Sequence, residues 1–147
     1  MLHFISLGSG SSGNCYMLYT DNDALLIDAG IGIRALKKHL RDYGLSVSKI
    51  NNILITHDHA DHVKSVGALS NESGIPVYAT EAVHKGIQKN YCVRKKIEPS
   101  CVRVIEKGVE YKIDEFKVTP FDVPHDSNDN VGYRIETQGI VFCLMTD

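Results

Sequence analysis

Residues 53–62 read ILITHDHADH: an apolar run, Ile53-Leu54-Ile55, stops at Thr56 and gives way to His57, Asp58, His59, Asp61 and His62. Imidazole and carboxylate are ligands for zinc, manganese and iron, and crowding them costs repulsion that a cation removes. Two histidines two residues apart on extended or loop backbone can clasp one ion. The pair Asp61-His62, turned elsewhere by the chain, can reach a second. The bland alternative is a solvated polar loop ahead of a helix, with Asp61 as its N-cap. Three histidines and two aspartates within six residues are hard to justify that way.

Such a cluster needs a rigid support. A short β-branched run bounded by polar residues reads as a buried strand, which places the imidazoles in a loop at the C-terminal end of a strand. Chemistry is commonly found there because the sheet holds the loop still. Upstream, Leu2 to Leu7 predicts an opening strand, followed by a loop of small residues, Gly8 to Asn14. No Gly-Lys-Ser/Thr follows it, and Cys15 to Tyr19 reads as a strand, so it is neither a P-loop nor a dinucleotide fingerprint. Ser9, Ser11, Ser12 and Asn14 would let a phosphate approach the backbone closely, and a plain tight connection is the simpler reading. Tyr16 to Thr20 and Ala24 to Asp28 flank Asp21-Asn22-Asp23 and predict a hairpin. Asp28 is also placed to cap the helix that follows.

Ile33, Leu36, Leu40 and Tyr43 fall at helical spacing and stop at Gly44. Val63, Val66 and Leu69 predict a second helix ending near Gly74, Pro76 to Ala79 a strand, and Glu81 to Asn90 a third helix. This alternation marks an α/β half-domain. From Cys101 the rhythm changes. Val102–Ile105, Glu110–Ile113, Phe116–Val123, Val131–Glu136 and Ile140–Met145 predict an antiparallel meander. Two of these strands end as the first motif does, one near His125 and one at Asp147. Between the third helix and the meander, Lys85, Lys89, Arg94, Lys95 and Lys96 have no acidic residue among them. Lys85 and Lys89 share a helix face, and the group could grip a phosphate backbone or simply solvate the surface.

With 147 residues the chain has room for one domain, 1–147, with a real core. A hydrophobic content of 43% and a net charge of −2 are ordinary, so charge alone does not advertise nucleic acid. No apolar run approaches the ~20 residues that span a bilayer, and the N-terminus lacks a signal-peptide pattern, so no membrane partner is expected. The cysteines, Cys15, Cys92, Cys101 and Cys143, form no C-x-x-C pair. Free thiols of this kind predict a cytoplasmic protein.

The pattern H-x-H-x-D-H after a strand ending in threonine resembles the metallo-β-lactamase superfamily of hydrolases. Ser6 to Asn14, SLGSGSSGN, with the hairpin ending at Asp28, resembles its YycJ/WalJ-like, exonuclease-like branch. The resemblance implies an α/β (α+β) fold, the αββα sandwich, truncated here after the first half and part of the second sheet. It also implies two divalent ions, zinc the leading candidate and manganese or iron also suited. His57, His59 and His125 would hold one ion, Asp61 and His62 would contribute to the other, and Asp147 would bridge them. Asp28 would brace the histidine loop. Asp58 is near enough to orient a ligand histidine or relay a proton.

Because the chain stops at Asp147, the second ion is expected to bind weakly. An uncovered sheet face would favour oligomers. The implied activity is hydrolysis of phosphodiesters, as a 5′-to-3′ exonuclease on DNA. The alternatives are a hydrolase of a thioester, lactone or other carbonyl substrate, and an inactive metal-binding fragment.

Overall fold

The computed structural model describes residues 1–124 and 129–146. His125 and Asp147 therefore lie outside the described residues. Strands β1 (His3–Gly8), β2 (Cys15–Tyr19) and β3 (Ala24–Ile27) run antiparallel. Helix α1 (Ile33–Asp42) leads to β4 (Asn52–Leu54), which lies parallel to β3. After α2 (Ala60–Val63) and α3 (Val66–Ser73), β5 (Val77–Ala79) joins parallel to β4, and α4 (Glu81–Lys89) carries the chain over to β6 (Val102–Val104). The six strands form one sheet in sequence order. A second, antiparallel sheet holds β7 (Tyr111–Ile113), β8 (Phe116–Asp122), β9 (Val131–Thr137) and β10 (Ile140–Leu144), in the order β10-β9-β8-β7.

Two-sided burial explains why the central strands are continuous apolar runs and not alternating ones. Leu26 and Ile53 face the helices, packing with Leu36, Leu40, Leu69 and Val83. Leu25, Ile27 and Leu54 face the other way, onto Phe116, Val118, Val131, Tyr133 and Ile135 of the second sheet. The result is three layers, helices on sheet on sheet. At the end of α1, Gly44 takes φ 73, its N–H reaches Arg41 O at 2.9 Å and Leu45 N–H reaches Leu40 O at 2.8 Å. That pair of bonds closes the helix and turns the chain back toward the sheet.

The fold departs from the sequence expectation in two places. Val102–Val104 extends the first sheet, parallel to β5, and is no part of the meander. Its sequence, Val102-Arg103-Val104, alternates as an antiparallel strand does, although as an edge strand it leaves both Arg103 and Val104 exposed. Second, Asp61 and His62 are not in the loop but on α2, whose N-cap is His59. Helix α2 ends after one turn because Ser65 is pinned to the segment after β3: its N–H bonds Ala29 O at 3.0 Å and its hydroxyl donates to Ile31 O at 2.6 Å.

The outer face of the second sheet carries Lys117, Thr119, Arg134 and Glu136, with the Phe121 ring lying over Gly132. This face is therefore polar along β8 and β9. On this sheet, among the described residues, exposed apolar side chains gather at the β10 edge, at Ile140 and Val141. No helix among the described residues is long and apolar enough to cross a membrane.

His84, buried on α4, sits 2.9 Å from Arg103 O through Nε2. Burial holds its imidazole below the usual value of 6.5. As pH falls through that value the unfolded chain takes up the proton first, so the folded state loses stability. His84→Gln should therefore lose less melting temperature than the parent between pH 7 and pH 5, by thermal unfolding monitored by circular dichroism.

Candidate metal centre

At the end of β3 the chain places Asp28 at φ 65, a left-handed conformation uncommon for a residue with a side chain. The residue is fully buried. A buried carboxylate is stable only if its lone pairs are satisfied, and here three donors meet it. Oδ1 accepts from Thr56 N–H at 2.8 Å, while Oδ2 accepts from the Thr56 hydroxyl at 2.7 Å and from His62 Nδ1 at 2.6 Å. Since an ionised carboxylate only accepts, this network assigns the His62 ring proton to Nδ1 and leaves the Nε2 lone pair for the site. Because Thr56 gives its hydroxyl proton to Asp28, it accepts from His57 Nδ1 at 3.0 Å. His57 Nε2 is then likewise the lone-pair nitrogen.

The rings of His59, in the loop, and His62, on α2, both meet that of His57. His57 and His62 have centroids 3.8 Å apart, and His57 and His59 meet edge to face at 4.7 Å. Asp61 Oδ2 stands 3.7 Å from His62 Nε2. His57 and His62 are buried and His59 is exposed, so the centre opens on the His59 side. Among the described residues no three histidine, cysteine, aspartate or glutamate side chains close on a common point. The donor chemistry of His57, His59, His62 and Asp61 nevertheless suits zinc or manganese, with the rings of His57 and His62 already oriented by hydrogen bonds behind them.

The second sheet buttresses the loop from beneath. Val131 N–H bonds Thr56 O at 2.9 Å and the Tyr133 hydroxyl donates to Ile55 O at 2.6 Å. Burial and the neighbouring Asp28 carboxylate push the Tyr133 phenol well above its usual range, so it stays a donor. Tyr133 and Thr56 support the histidine loop through hydrogen bonds that the sequence reading did not anticipate. The available signal was one polar tip in the inward series Val131, Tyr133, Ile135. Cys15 is buried, and its thiol is pushed up by burial and by Asp28, which makes it a packing residue and no nucleophile.

Around this core the other candidates separate. Asp58 turns its carboxylate onto α4, against Gly86, where a Cβ would overlap it, and its carbonyl accepts from Asn90 at 2.9 Å. Asn14 is buried and touches both Asp61 and His62. Ser9 and Ser11 line a cleft of about 440 Å³ that also borders Asp61 and His62, whereas Ser12 is exposed and outside its lining. Lys89, Arg94 and Lys95 are exposed, and Lys85 pairs with Glu81 at 3.1 Å. Lys96 leaves the basic group: its ammonium donates to Ile87 O and Asn90 O, at 3.2 and 2.7 Å, capping the C-terminal end of α4.

Removing the Asp28 charge should cost more than removing a single buttress. Tyr133→Phe deletes one buried hydrogen bond, about 1–2 kcal/mol. Asp28→Asn faces three donors with one oxygen and should cost about 3 kcal/mol or more. Urea unfolding of the two variants ranks them directly.

Residues 24–147 match the Beta-lactamase superfamily domain. The exodeoxyribonuclease YycJ of Bacillus anthracis is 30% identical over 146 residues, covering 99% of this chain and 54% of its own length. The exodeoxyribonuclease WalJ of Streptococcus pneumoniae is 31% identical over 141 residues, covering 96% and 52%. The chain thus spans about half the length of the curated relatives it matches. A B3 metallo-β-lactamase with an active-site glutamic acid superposes with a TM-score of 0.76 over 96% of this chain and 57% of that one. At 17% identity that likeness speaks for the fold alone. With Asp28 and the whole H-x-H-x-D-H run inside the matched region, the chain belongs to the beta-lactamase superfamily.

Proposed function

We propose that this chain carries the donor half of a metal-dependent phosphodiesterase that acts on nucleic acid, as a 5′-to-3′ exonuclease on DNA. The observation that carries this reading is the Asp28–Thr56 network, which presents the lone-pair nitrogens of His57 and His62 beside His59 and Asp61. His57 and His59, with His125, are the donors for one divalent ion. Asp61 and His62 would hold a second, to which Asp147 would also contribute. Zinc suits this mixture of imidazole and carboxylate, as does manganese. When bound, such ions supply Lewis acidity that lowers the pKa of water and neutralises charge on a phosphoryl oxygen.

The chain's own residues do the rest. Asp28 and Thr56 hold the imidazoles still, and Ser9 and Ser11 border the cleft where a phosphate approaches. Lys85, Lys89, Arg94 and Lys95 hold the strand beyond the scissile bond and contribute affinity without sequence preference. The names of YycJ and WalJ support a deoxyribonucleic substrate. The four free cysteines agree with a cytoplasmic setting. The apolar edge at Ile140 and Val141 is where an oligomer would form. A second reading, hydrolysis of a thioester, lactone or other carbonyl, uses the same donors.

Elemental analysis of protein purified without chelator should find a transition ion, and His57→Ala with His59→Ala should remove it. Unchanged metal content would place the site elsewhere. Reversing Lys85, Lys89 and Arg94 to glutamate should weaken DNA binding most at low salt. The salt slope should flatten by about one for each phosphate that the protein no longer neutralises. Hydrolysis of bis(p-nitrophenyl) phosphate, which has no strand to grip, should not change. Rapid thioester or lactone hydrolysis with linear DNA untouched, metals loaded, would select the carbonyl reading.

A further inference from the structure

The Asn14 carboxamide is held from two sides. Gly10 N–H donates to its Oδ1 at 3.1 Å while its Nδ2 donates to Gly10 O at 2.9 Å. This reciprocal pair fixes the orientation of the amide, because a flipped group would set donor against donor and oxygen against oxygen. The Tyr16 hydroxyl, 3.2 Å from Oδ1, is compatible with that orientation, while the Gly10 pair decides it. Nδ2 therefore faces α2, at 3.3 Å from Asp61 O, 3.3 Å from Asp61 Oδ2 and 3.1 Å from His62 Nε2. With Nδ1 of His62 already donating to Asp28, Nε2 is an acceptor only. Asn14 thus occupies the lone pair by which His62 would bind a cation.

Nδ2 has two hydrogens and four acceptors within reach, so it is overcommitted and no single bond is at full strength. The backbone of Asn14, by contrast, is firmly placed: its N–H reaches Asp61 O at 2.7 Å, and Gly30 N–H reaches its carbonyl at 2.9 Å. Only the side chain can exchange partners. Gly10 stands at φ 129, and a Cβ there would meet nothing within 4 Å; the carboxamide, a 3.2 Å bond from Gly13 N–H to Gly10 O and a 3.1 Å bond from the Tyr16 hydroxyl to Ser9 Oγ hold this part of the loop.

We propose that Asn14 couples the Asp61–His62 pair to the Gly/Ser loop. Its amide must leave His62 Nε2 before that nitrogen binds a cation, and in leaving it releases Gly10. The proposal rests on reading Asp61 and His62 as cation donors. Because Ser9, Gly10 and Ser11 line the 440 Å³ cleft, the loop that meets substrate takes a different conformation when the pair is loaded. The coupling is reciprocal: a ligand that draws the loop away from Asn14 raises cation affinity at the pair by the same factor.

Hydrogen exchange of the peptide spanning residues 8–16, read while zinc is titrated and its stoichiometry counted, tests this without any activity measurement. In the parent protein, exchange at Gly10 should accelerate about threefold to tenfold as the second zinc binds, the worth of one hydrogen bond. Asn14→Ala should exchange fast from the start and not respond to zinc. Asp61→Asn, which removes the carboxylate ligand of the pair, should bind zinc at the histidines and leave the loop slow. Should Asn14→Ala not fold, the parent and Asp61→Asn still decide the matter. Two zinc ions bound with no change in loop exchange would overturn the coupling, as would a full zinc response in Asn14→Ala. Zinc binding nowhere, or one ion only, would instead overturn the reading of the pair as cation donors. DNA cleavage, present or absent, does not bear on it.

Discussion

A single buried carboxylate organises this end of the molecule. Asp28 sits fully buried beneath the histidine loop and is tolerable there only because Thr56 and His62 bring it three donors. The same bonds decide where β4 stops, how the loop turns and which nitrogens of His57 and His62 present a lone pair. Asp28 accepts a left-handed backbone to reach this position, and strain of that kind persists only where its surroundings over-determine it. Glycine would adopt the conformation readily but would bring no carboxylate.

The layers on either side exist, from the site's point of view, to keep that loop rigid. Ala29 and Ser65 lace the segment after β3 to α2, and Gly30 lets the Asp61 backbone approach closer than any side chain would allow. From the second sheet, Val131 and Tyr133 hold Thr56 and Ile55. Just ahead of β9, Asp129 accepts from the Thr80 hydroxyl at 2.6 Å and pairs with Lys107, tying the start of α4 to the second sheet. Bracing of this kind fixes how the imidazoles are presented.

The donor cluster was legible because its density of imidazole and carboxylate has no packing explanation. The layered α/β architecture was legible from strand and helix periodicity. What the sequence hid were long-range contacts. Nothing local to Tyr133 says that its hydroxyl reaches Ile55 from another sheet. Asn14 reads as a loop residue near phosphate, yet its amide faces His62. Lys96 looks like one more surface cation until its position over the last carbonyls of α4 is seen. Val102–Val104 misleads for a related reason: so short an alternation looks alike on a parallel edge and in a meander. His125 and Asp147 are read from strand ends and from the family resemblance, and lie outside the described residues.

The most direct test of the organising role of Asp28 is the tautomer of His62. Long-range proton–nitrogen correlation spectra of histidine-labelled, metal-free protein should show the His62 proton on Nδ1 and a bare Nε2. In Asp28→Asn that preference should be lost while the histidines remote from Asp28 keep theirs. A His62 protonated on Nε2 in the parent protein would contradict the account, because the nitrogen meant for a ligand would then be facing the site as a donor.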